Sequence, residues 1–530
     1  MPDLRRFFSL IFSIFLSLGL FSWPLYSQGD QDLIAKMYFD KNLSVLPGNS
    51  GSFAKAEVYN SEHHEYSEGH KGFALNLSSG VKSRFPIMLP VEMPAMNSFT
   101  VLLWVNTEKD ANLKNVIASN RESEAKAKWG WTISTQTNGS WRWSASDGET
   151  EFEYSPTTPR QTINDGIWHQ IAFSVNRQKQ KVRLYFDGIN VAIYHIGEIE
   201  DVTEGKSVII GSDVREEKSE MYSFNGQIDE FALWSRELTD EEIRENFNAQ
   251  YIQEIPVLPV NHLKMMVWNI WHGGREHGNE VGVQRVIDVI READPDVIAM
   301  IETYGSGPII ADALGYNFYL RSSNLSILSR YPFGEAIDIF KAFNCGGIHI
   351  IIEEGKEVAI VNTWLNYLPG FSDEMRIDNL PADVIYENEG ETRYAEIMEI
   401  MDELQNAMRK SKNVPIILAG DFNSPSHLDF TKNLVEMHWG YQIEWPVTVE
   451  IEANGFFDSF REIYPDPQLD YGGTQPSSIF DTFHYRIDYI FYKGKNLKPV
   501  SSEVISEHHI KFPSDHNAVI TTFEISGNSR

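Results

Sequence analysis

Between Tyr251 and His262 the chain reads YIQEIPVLPVNH, with two prolines and no hydrophobic period. A segment without a period has no face to bury, and its prolines favour extended backbone, so it predicts a semi-rigid connector. The residue patterns on its two sides differ in kind. The chain has 530 residues, well past the roughly 250–300 at which a single core stops growing. Two domains are therefore expected, 31–250 and 263–526, joined by a linker over 251–262. Apolar residues make up 42% of the sequence and aromatics 12%. That is enough to fill two cores, and it argues against global disorder.

The stretch before the linker consists of short strand-like runs ended by turn residues. Phe99 to Val105, FTVLLWV, is apolar. Ile167 to Val175 follows the turn signal Asn164-Asp165-Gly166. Lys181 to Phe186, KVRLYF, alternates polar with apolar residues before Asp187-Gly188. Runs punctuated in this way predict a β-sandwich. Thr239 and Glu242 have capping-box spacing, which predicts one short helix with Ile243 and Phe247 on its inner face. Trp168 reads as core, His169 as a sheet-face residue, and Asp187 as a turn former rather than a calcium ligand.

After the linker the pattern becomes α/β. The run LKMMVWN ends at Asn269, and a helix follows with Val283, Val286, Ile287 and Ile290 on one face. VIAMIE ends at Glu302. Further strands are predicted at Ser326–Leu328, Ile348–Glu353, Val358–Asn362, Ile416–Ala419, Ile487–Phe491 and Ala518–Ile525. A long amphipathic helix is predicted over Glu391–Met408. Polar residues gather at the strand ends, where a sheet fixes side chains and loops admit ligand. Asn269 and Glu302 end strands, Asp421 and Asn423 follow one directly, Asp488 sits in RIDY, and Ser514-Asp515-His516 precedes the last strand. A hard cation such as magnesium takes oxygen ligands, which Asn269, Glu302, Asp421 and Asp515 supply. Each residue also has a bland reading as a surface carboxylate, a turn or a cap; their joint occurrence in order is what carries the expectation.

The formal net charge is −30, and no Lys/Arg cluster forms a stripe. Such a chain repels polyanions at long range, which disfavours a dedicated duplex-DNA binder but not an enzyme acting on a small phosphate ester. Arg5 and Arg6 precede an apolar run over Phe7–Phe21 and a polar exit at Ser27-Gln28. This predicts a signal peptide over 1–27, and with it a secreted, periplasmic or cell-surface location. The alternative is an uncleaved anchor, since the run approaches the length of a membrane span. Cys345 is the single cysteine, so no intramolecular disulfide and no Cys-based zinc site is expected.

The segments GIWHQIAFSV from Gly166, KVRLYFDG from Lys181, IIGSD from Ile209 and FNGQIDEFALWSREL from Phe224 resemble the laminin-G-like, concanavalin A-like family. The resemblance implies an all-β jelly-roll sandwich. Members bind glycans or proteins, often with calcium, so a carbohydrate or protein ligand and a Ca2+ ion become expectations for this domain. Other members cleave glycans with an E-x-D-x-x-E triplet, which this sequence does not contain.

The second domain resembles the endonuclease/exonuclease/phosphatase superfamily through VWNIW from Val267, PDVIAMIE from Pro295, ILSRYP from Ile327, VNTWLNY from Val361, LAGDFNSPSHLDF from Leu418, RIDYIFYKG from Arg486 and FPSDHNAV from Phe512. The resemblance implies a deoxyribonuclease-like α/β four-layer sandwich and a hydrolase of phosphoric esters dependent on Mg2+ or Mn2+. It implies that Glu302 is the main metal ligand, supported by Asn269 and Asp515. Asp421 and Asn423 hold the attacking water and the phosphate, His516 acts as base or phosphate-oxygen stabiliser, and Asp488 orients His516. One position departs from the pattern: where the family has histidine in N-x-H-L, this chain has Trp364. His427 is the first candidate to replace it. His272 and Arg486 are further candidates for contact with substrate. The expected substrate is a phosphorylated small molecule, lipid headgroup or glycan. A secreted nuclease is the first alternative, and a binding or adhesion protein with an inactive hydrolase domain is the second.

Overall fold

The computed structural model describes residues 32–526 apart from short internal segments, the longest being 79–86, 213–223 and 248–260. The expected signal segment and most of the expected linker lie outside the described residues.

The N-terminal half is a sandwich of two antiparallel sheets. One runs through Leu33–Met37, Gln227–Trp234, Ser98–Asn106, His169–Asn176, Lys181–Phe186 and Ile189–His195. The other runs from Glu151–Tyr154 through Trp141–Ser146, Gly130–Thr135, Val116–Ser119 and Lys206–Ile210 to Ile87–Met93. Side chains that alternate inward along each strand meet between the sheets. There Phe173 takes the edge of Trp131, ring centroids 5.1 Å apart, and Val101, Leu103 and Trp143 are also buried. The predicted capping box forms: the Thr239 hydroxyl accepts the Glu242 amide, and the Glu242 carboxylate accepts the Thr239 amide. Its helix, Asp240–Phe247, lays Phe247 flat on Trp104. Asp187 adopts φ 49° and accepts the Gln170 amide, the work of a turn residue.

The C-terminal half places two sheets face to face. The first carries Leu497–Ile505, Ala518–Ile525, His262–Asn269, Val297–Ile301, Ser326–Ser329 and Asn317–Leu320; the second carries Phe333–Ile337, Cys345–Glu353, Lys356–Trp364, Ile416–Asp421, Asp488–Lys493 and Phe457–Asp458. Met265, Val267, Ala299, Ile327, Ile350, Ile360, Ile417 and Ile490 fill the space between them. Helices Val281–Ala293 and Gly307–Leu314 cover one outer face. Arg393–Lys410 and Pro446–Ala453 cover the other. These are the four layers that the family resemblance implies. The predicted helix over Glu391–Met408 begins at Arg393 instead, after a separate helix Ala382–Glu391. Thr392 leaves helical geometry between the two, and its hydroxyl bonds the Asn388 carbonyl. Cys345 is buried, and burial pushes its thiol up to about 12, so it is packing material.

The two halves are not beads on a string. Ile189–His195, the edge strand of the sandwich, pairs in parallel with Asn317–Leu320 of the second domain through Ala192↔Phe318, Ile193↔Tyr319 and Tyr194↔Leu320. One sheet therefore runs through both domains, and an otherwise exposed edge is closed. Buried polar groups lock the junction. Asp312 accepts the amide and hydroxyl of Thr157 and the amide of Gln161 and pairs with Arg160. Arg321 donates to the carbonyls of Cys345 and Ile339 and to Asp338, and touches the His195 ring.

Candidate active site

Four strand ends of the C-terminal domain converge. Asn269 and Glu302 end neighbouring parallel strands, while Asp421 and Asp488 face each other across an antiparallel pair in the opposite sheet. The two sheets thus bring chemistry from remote parts of the chain to one point. The Asn269 amide bridges them, donating to Glu302 at 3.2 Å and to Asp421 at 3.1 Å. Glu302 adopts φ 55°, a left-handed conformation that a side-chain-bearing residue takes only when held there. Asn324 holds it by accepting its amide, and its carboxylate accepts the His272 amide at 2.8 Å.

His516 is buried, and its position is set from several directions. The Ser514 hydroxyl donates to the Asn269 carbonyl and accepts the His516 amide, and the Trp268 indole donates to the His516 carbonyl. Its Nδ1 lies 2.9 Å from Asp488 and its Nε2 lies 3.8 Å from Asp421. With Nδ1–H given to Asp488, Nε2 is left facing Asp421. The three residues form a group whose ligand atoms all lie within 4.8 Å of one another. Burial raises the Asp421 carboxyl, and Asp488 beside it raises it further. Burial alone would lower the His516 imidazole, but Asp488, Asp421 and Asp515 together raise it. Asp515 is raised chiefly by burial and feels Glu302. Asn423, at φ 48°, gives its amide to the Asp421 carboxylate and its side chain to the Leu365 carbonyl.

All seven residues of the expected centre thus lie together, but the auxiliary candidates do not. The His427 ring is spent on Thr448 and Glu452, on the outer helix Pro446–Ala453. Arg486 is fully buried, with its guanidinium bound to Asp429 and Asp458, so it holds the scaffold and does not face a substrate. Both expectations of substrate contact are corrected: motif proximity put these residues near the site, but their side chains leave on the other face. His272 does stay at the mouth, its ring exposed and bonded to Glu276, and its imidazole is raised by Glu276, with lesser help from Glu302 and Asp515.

Trp364 pairs in register with Asp421 at the end of its strand, and its indole meets Phe343 and Tyr367, each at 5.8 Å. Tyr304, next but one to Glu302, feels the Tyr367 phenol and stands 6.4 Å from the His272 ring, which neighbours Trp271 and, through it, Phe480. Phe343 is 41% exposed, Tyr367 56% and Phe480 41%, so the arc offers open ring faces around the carboxylates. Sequence reasoning missed this arc, because its members come from five separate loops. It also missed Asn324, Thr474, which accepts the Asp488 amide, and Asn362, which donates to the Met300 and Ser326 carbonyls and ties the two sheets together. Ser514 had the one legible signal, its place beside Asp515-His516.

The sequence profile of the Endonuclease/Exonuclease/phosphatase family matches residues 266–516, and that of the Concanavalin A-like lectin/glucanases superfamily matches residues 86–244. An uncharacterised protein of Caenorhabditis elegans is 30% identical over 294 residues, covering 50% of this chain and 91% of its own length. The CCR4-Not complex 3'-5'-exoribonuclease subunit Ccr4 of Debaryomyces hansenii is 28% identical over 211 residues, 36% of this chain and 24% of that protein. Among solved structures, an AP endonuclease from Archaeoglobus fulgidus is similar over 50% of this chain and 100% of its own, with 18% identity and a TM-score of 0.37.

Proposed function

The chain belongs to the endonuclease/exonuclease/phosphatase family through residues 266–516, and we propose from this that it is an exported, divalent-metal-dependent hydrolase of a phosphate ester. The observation that carries the reading is the buried Asp421–His516–Asp488 group beside Glu302. The donor set fits a hard cation. The Oδ1 atoms of Asp488 and Asp515 are buried without a hydrogen-bond partner, and several carboxylates crowd one point with no Lys or Arg among the described residues bonded to them. Buried carboxylates in that state call for a cation. Glu302, Asn269 and Asp515 would hold it. Bound there, magnesium or manganese would offset the negative charge that builds on the phosphoryl oxygens.

The remaining roles fall to the chain itself. Asp488 holds the His516 ring by its Nδ1–H. Asp421 and His516, facing each other, act as a unit that accepts a proton from the attacking water. The Asn423 amide, anchored at Leu365, directs its remaining hydrogen toward the phosphate. The intact convergence of these groups speaks against a decayed hydrolase kept for adhesion. The net charge of −30 favours a small or glycan-borne phosphate over a nucleic-acid strand. Export rests on the Arg5–Phe21 signal pattern. Ligand binding by the sandwich, and a calcium ion in it, rest on the family resemblance alone.

The test is release of p-nitrophenol from bis-p-nitrophenyl phosphate and p-nitrophenyl phosphate by protein without residues 1–27. Magnesium, manganese, calcium and EDTA are compared, with Glu302→Ala as control. Expected are metal-dependent turnover, its loss in EDTA, and a fall of at least about 10²-fold in Glu302→Ala. Turnover that ignores both EDTA and Glu302→Ala would refute the reading.

A further inference from the structure

Two neighbouring parallel strands of the catalytic domain, Lys356–Trp364 and Ile416–Asp421, end level with each other at the register Trp364↔Asp421. The loops that leave them both carry groups of the site. One bears Tyr367 of the aromatic arc, and the other bears Asn423. The Leu365 amide donates to the Asp421 carbonyl at 3.0 Å, and the Asn423 side chain donates to the Leu365 carbonyl at 2.9 Å. Where the second amide hydrogen of Asn423 points is therefore set by the position of the Leu365 carbonyl, that is, by the spacing of the two loops.

A buried ion pair spans that spacing. Glu389 lies in the last turn of the helix Ala382–Glu391 and Arg393 opens the helix Arg393–Lys410; they are 0% and 1% exposed. Nε of Arg393 donates to Glu389, and Nη2 lies against the same oxygen. Nη1 donates to the Asn366 carbonyl at 3.1 Å and to the Pro369 carbonyl at 2.9 Å, on the first loop. The other oxygen of Glu389 accepts the Ser424 hydroxyl at 2.9 Å, on the second loop, directly after Asn423. Two flanking bonds brace the arrangement: Glu396 accepts the Asn366 amide, and the Tyr489 hydroxyl donates to the Ser424 carbonyl. Taking both charges out of water is costly, and a pair of apolar side chains of similar volume is often as stable. Stability alone therefore does not account for the pair. Apolar contact is non-directional, whereas a guanidinium fork and a carboxylate bond fixed partners in fixed directions. What this pair supplies is a set distance between two loops of the site.

We propose that Glu389 and Arg393 are positioning residues of this site: as a buried clamp they fix the loops over 365–369 and 422–426 against each other, and so hold the Asn423 amide toward the phosphate. The proposal rests on the phosphoesterase reading. Neither residue touches the substrate; both act through Asn423, Glu389 by way of Ser424 and Arg393 by way of the segment that follows Leu365.

The experiment is a double-mutant cycle on the full chain after signal removal, with methyl p-nitrophenyl phosphate as substrate and magnesium or manganese as metal. Glu389→Leu/Arg393→Met exchanges the pair for apolar side chains of similar length. Ser424→Ala removes one hydroxyl and cuts the carboxylate from the second loop. Each change is made alone and together with Asn423→Gly, which deletes the amide side chain and suits a backbone at φ 48°. Urea unfolding identifies the folded variants. Expected for each clamp variant is a fall of at least about tenfold in kcat with KM within about twofold, because a contact made in the transition state is lost. In the Asn423→Gly background the same changes should lower kcat by less than about twofold, because the group they position is gone. Losses in folded variants that combine independently would assign the pair to the scaffold and overturn the proposal. So would an unchanged kcat in either clamp variant or in Asn423→Gly itself. If the double substitution unfolds the chain, the Ser424→Ala cycle decides by the same criteria. Wild type that turns over the diester with neither metal would overturn the phosphoesterase reading instead, which keeps the two failures apart.

Discussion

Trp364 stands where the family resemblance expects an imidazole, and its backbone is paired with Asp421 at the mouth of the site. An indole N–H holds its proton and has none to give an oxyanion leaving group, so departure depends on how stable that group is by itself. Across a series of methyl aryl phosphates, kcat is expected to fall steeply as the leaving phenol becomes less acidic. Trp364→His should flatten that slope and raise turnover of the poorest leaving group by about 10²-fold, the usual contribution of a positioned acid. An unchanged slope would show that this position has no part in leaving-group departure. His169 illustrates a titrating residue outside the site. Burial works to lower its imidazole, but Asp187 and Asp165 raise it more, so the folded state holds the proton more tightly. The stabilisation is complete below the unfolded value of about 6.5 and is lost as pH rises through the folded one. Thermal melts of wild type should therefore decline as pH rises above about 6.5, and those of His169→Gln should decline less.

Strands and their ends explain why the centre was readable element by element. Ile416–Asp421 is buried along its whole length, so its apolar run is unbroken and the polar residues after it stand out. Gly420 shows the closeness of the pairing: a Cβ there would lie 2.0 Å from the Thr363 carbonyl oxygen. The aromatic arc gave no such signal, because single aromatics in loops carry no period. Nor did the role of Arg486, since a cation beside a site motif reads the same whether it faces ligand or scaffold. Here it joins Arg461 on Asp429, fastening the loop after Asn423 to the helix Ser459–Ile463 and the strand Asp488–Lys493. Removing the shared carboxylate strands two buried guanidinium groups. Asp429→Ala is expected to cost about 3–5 kcal/mol in urea unfolding. A loss below about 1 kcal/mol, the scale of an exposed ion pair, would mean that water reaches the network.

At the scale of the whole molecule, the shared sheet makes the two domains one mechanical body. Asp312 is 1% exposed and is the hub of the polar lock with Thr157, Arg160 and Gln161. Wild type is expected to unfold in a single calorimetric transition. Asp312→Ala, which leaves Gln161 only the Tyr154 hydroxyl as acceptor and Thr157 without its carboxylate, should split it into two. Two transitions already present in wild type would show that the junction does not couple the domains. A β-sandwich followed by an α/β domain, and the polar residues that gather at the candidate site, were legible in the sequence alone, because strand periodicity, turn residues and polar strand ends are local patterns imposed by backbone geometry. Which side chains actually face the site, where the aromatic arc closes, and how the sandwich docks on the hydrolase were decided only by the tertiary structure. Those outcomes depend on pairing between segments such as Ile189–His195 and Asn317–Leu320, more than 120 residues apart, and the backbone hydrogen bonds that join two strand edges carry no side-chain signature from which the partner can be read.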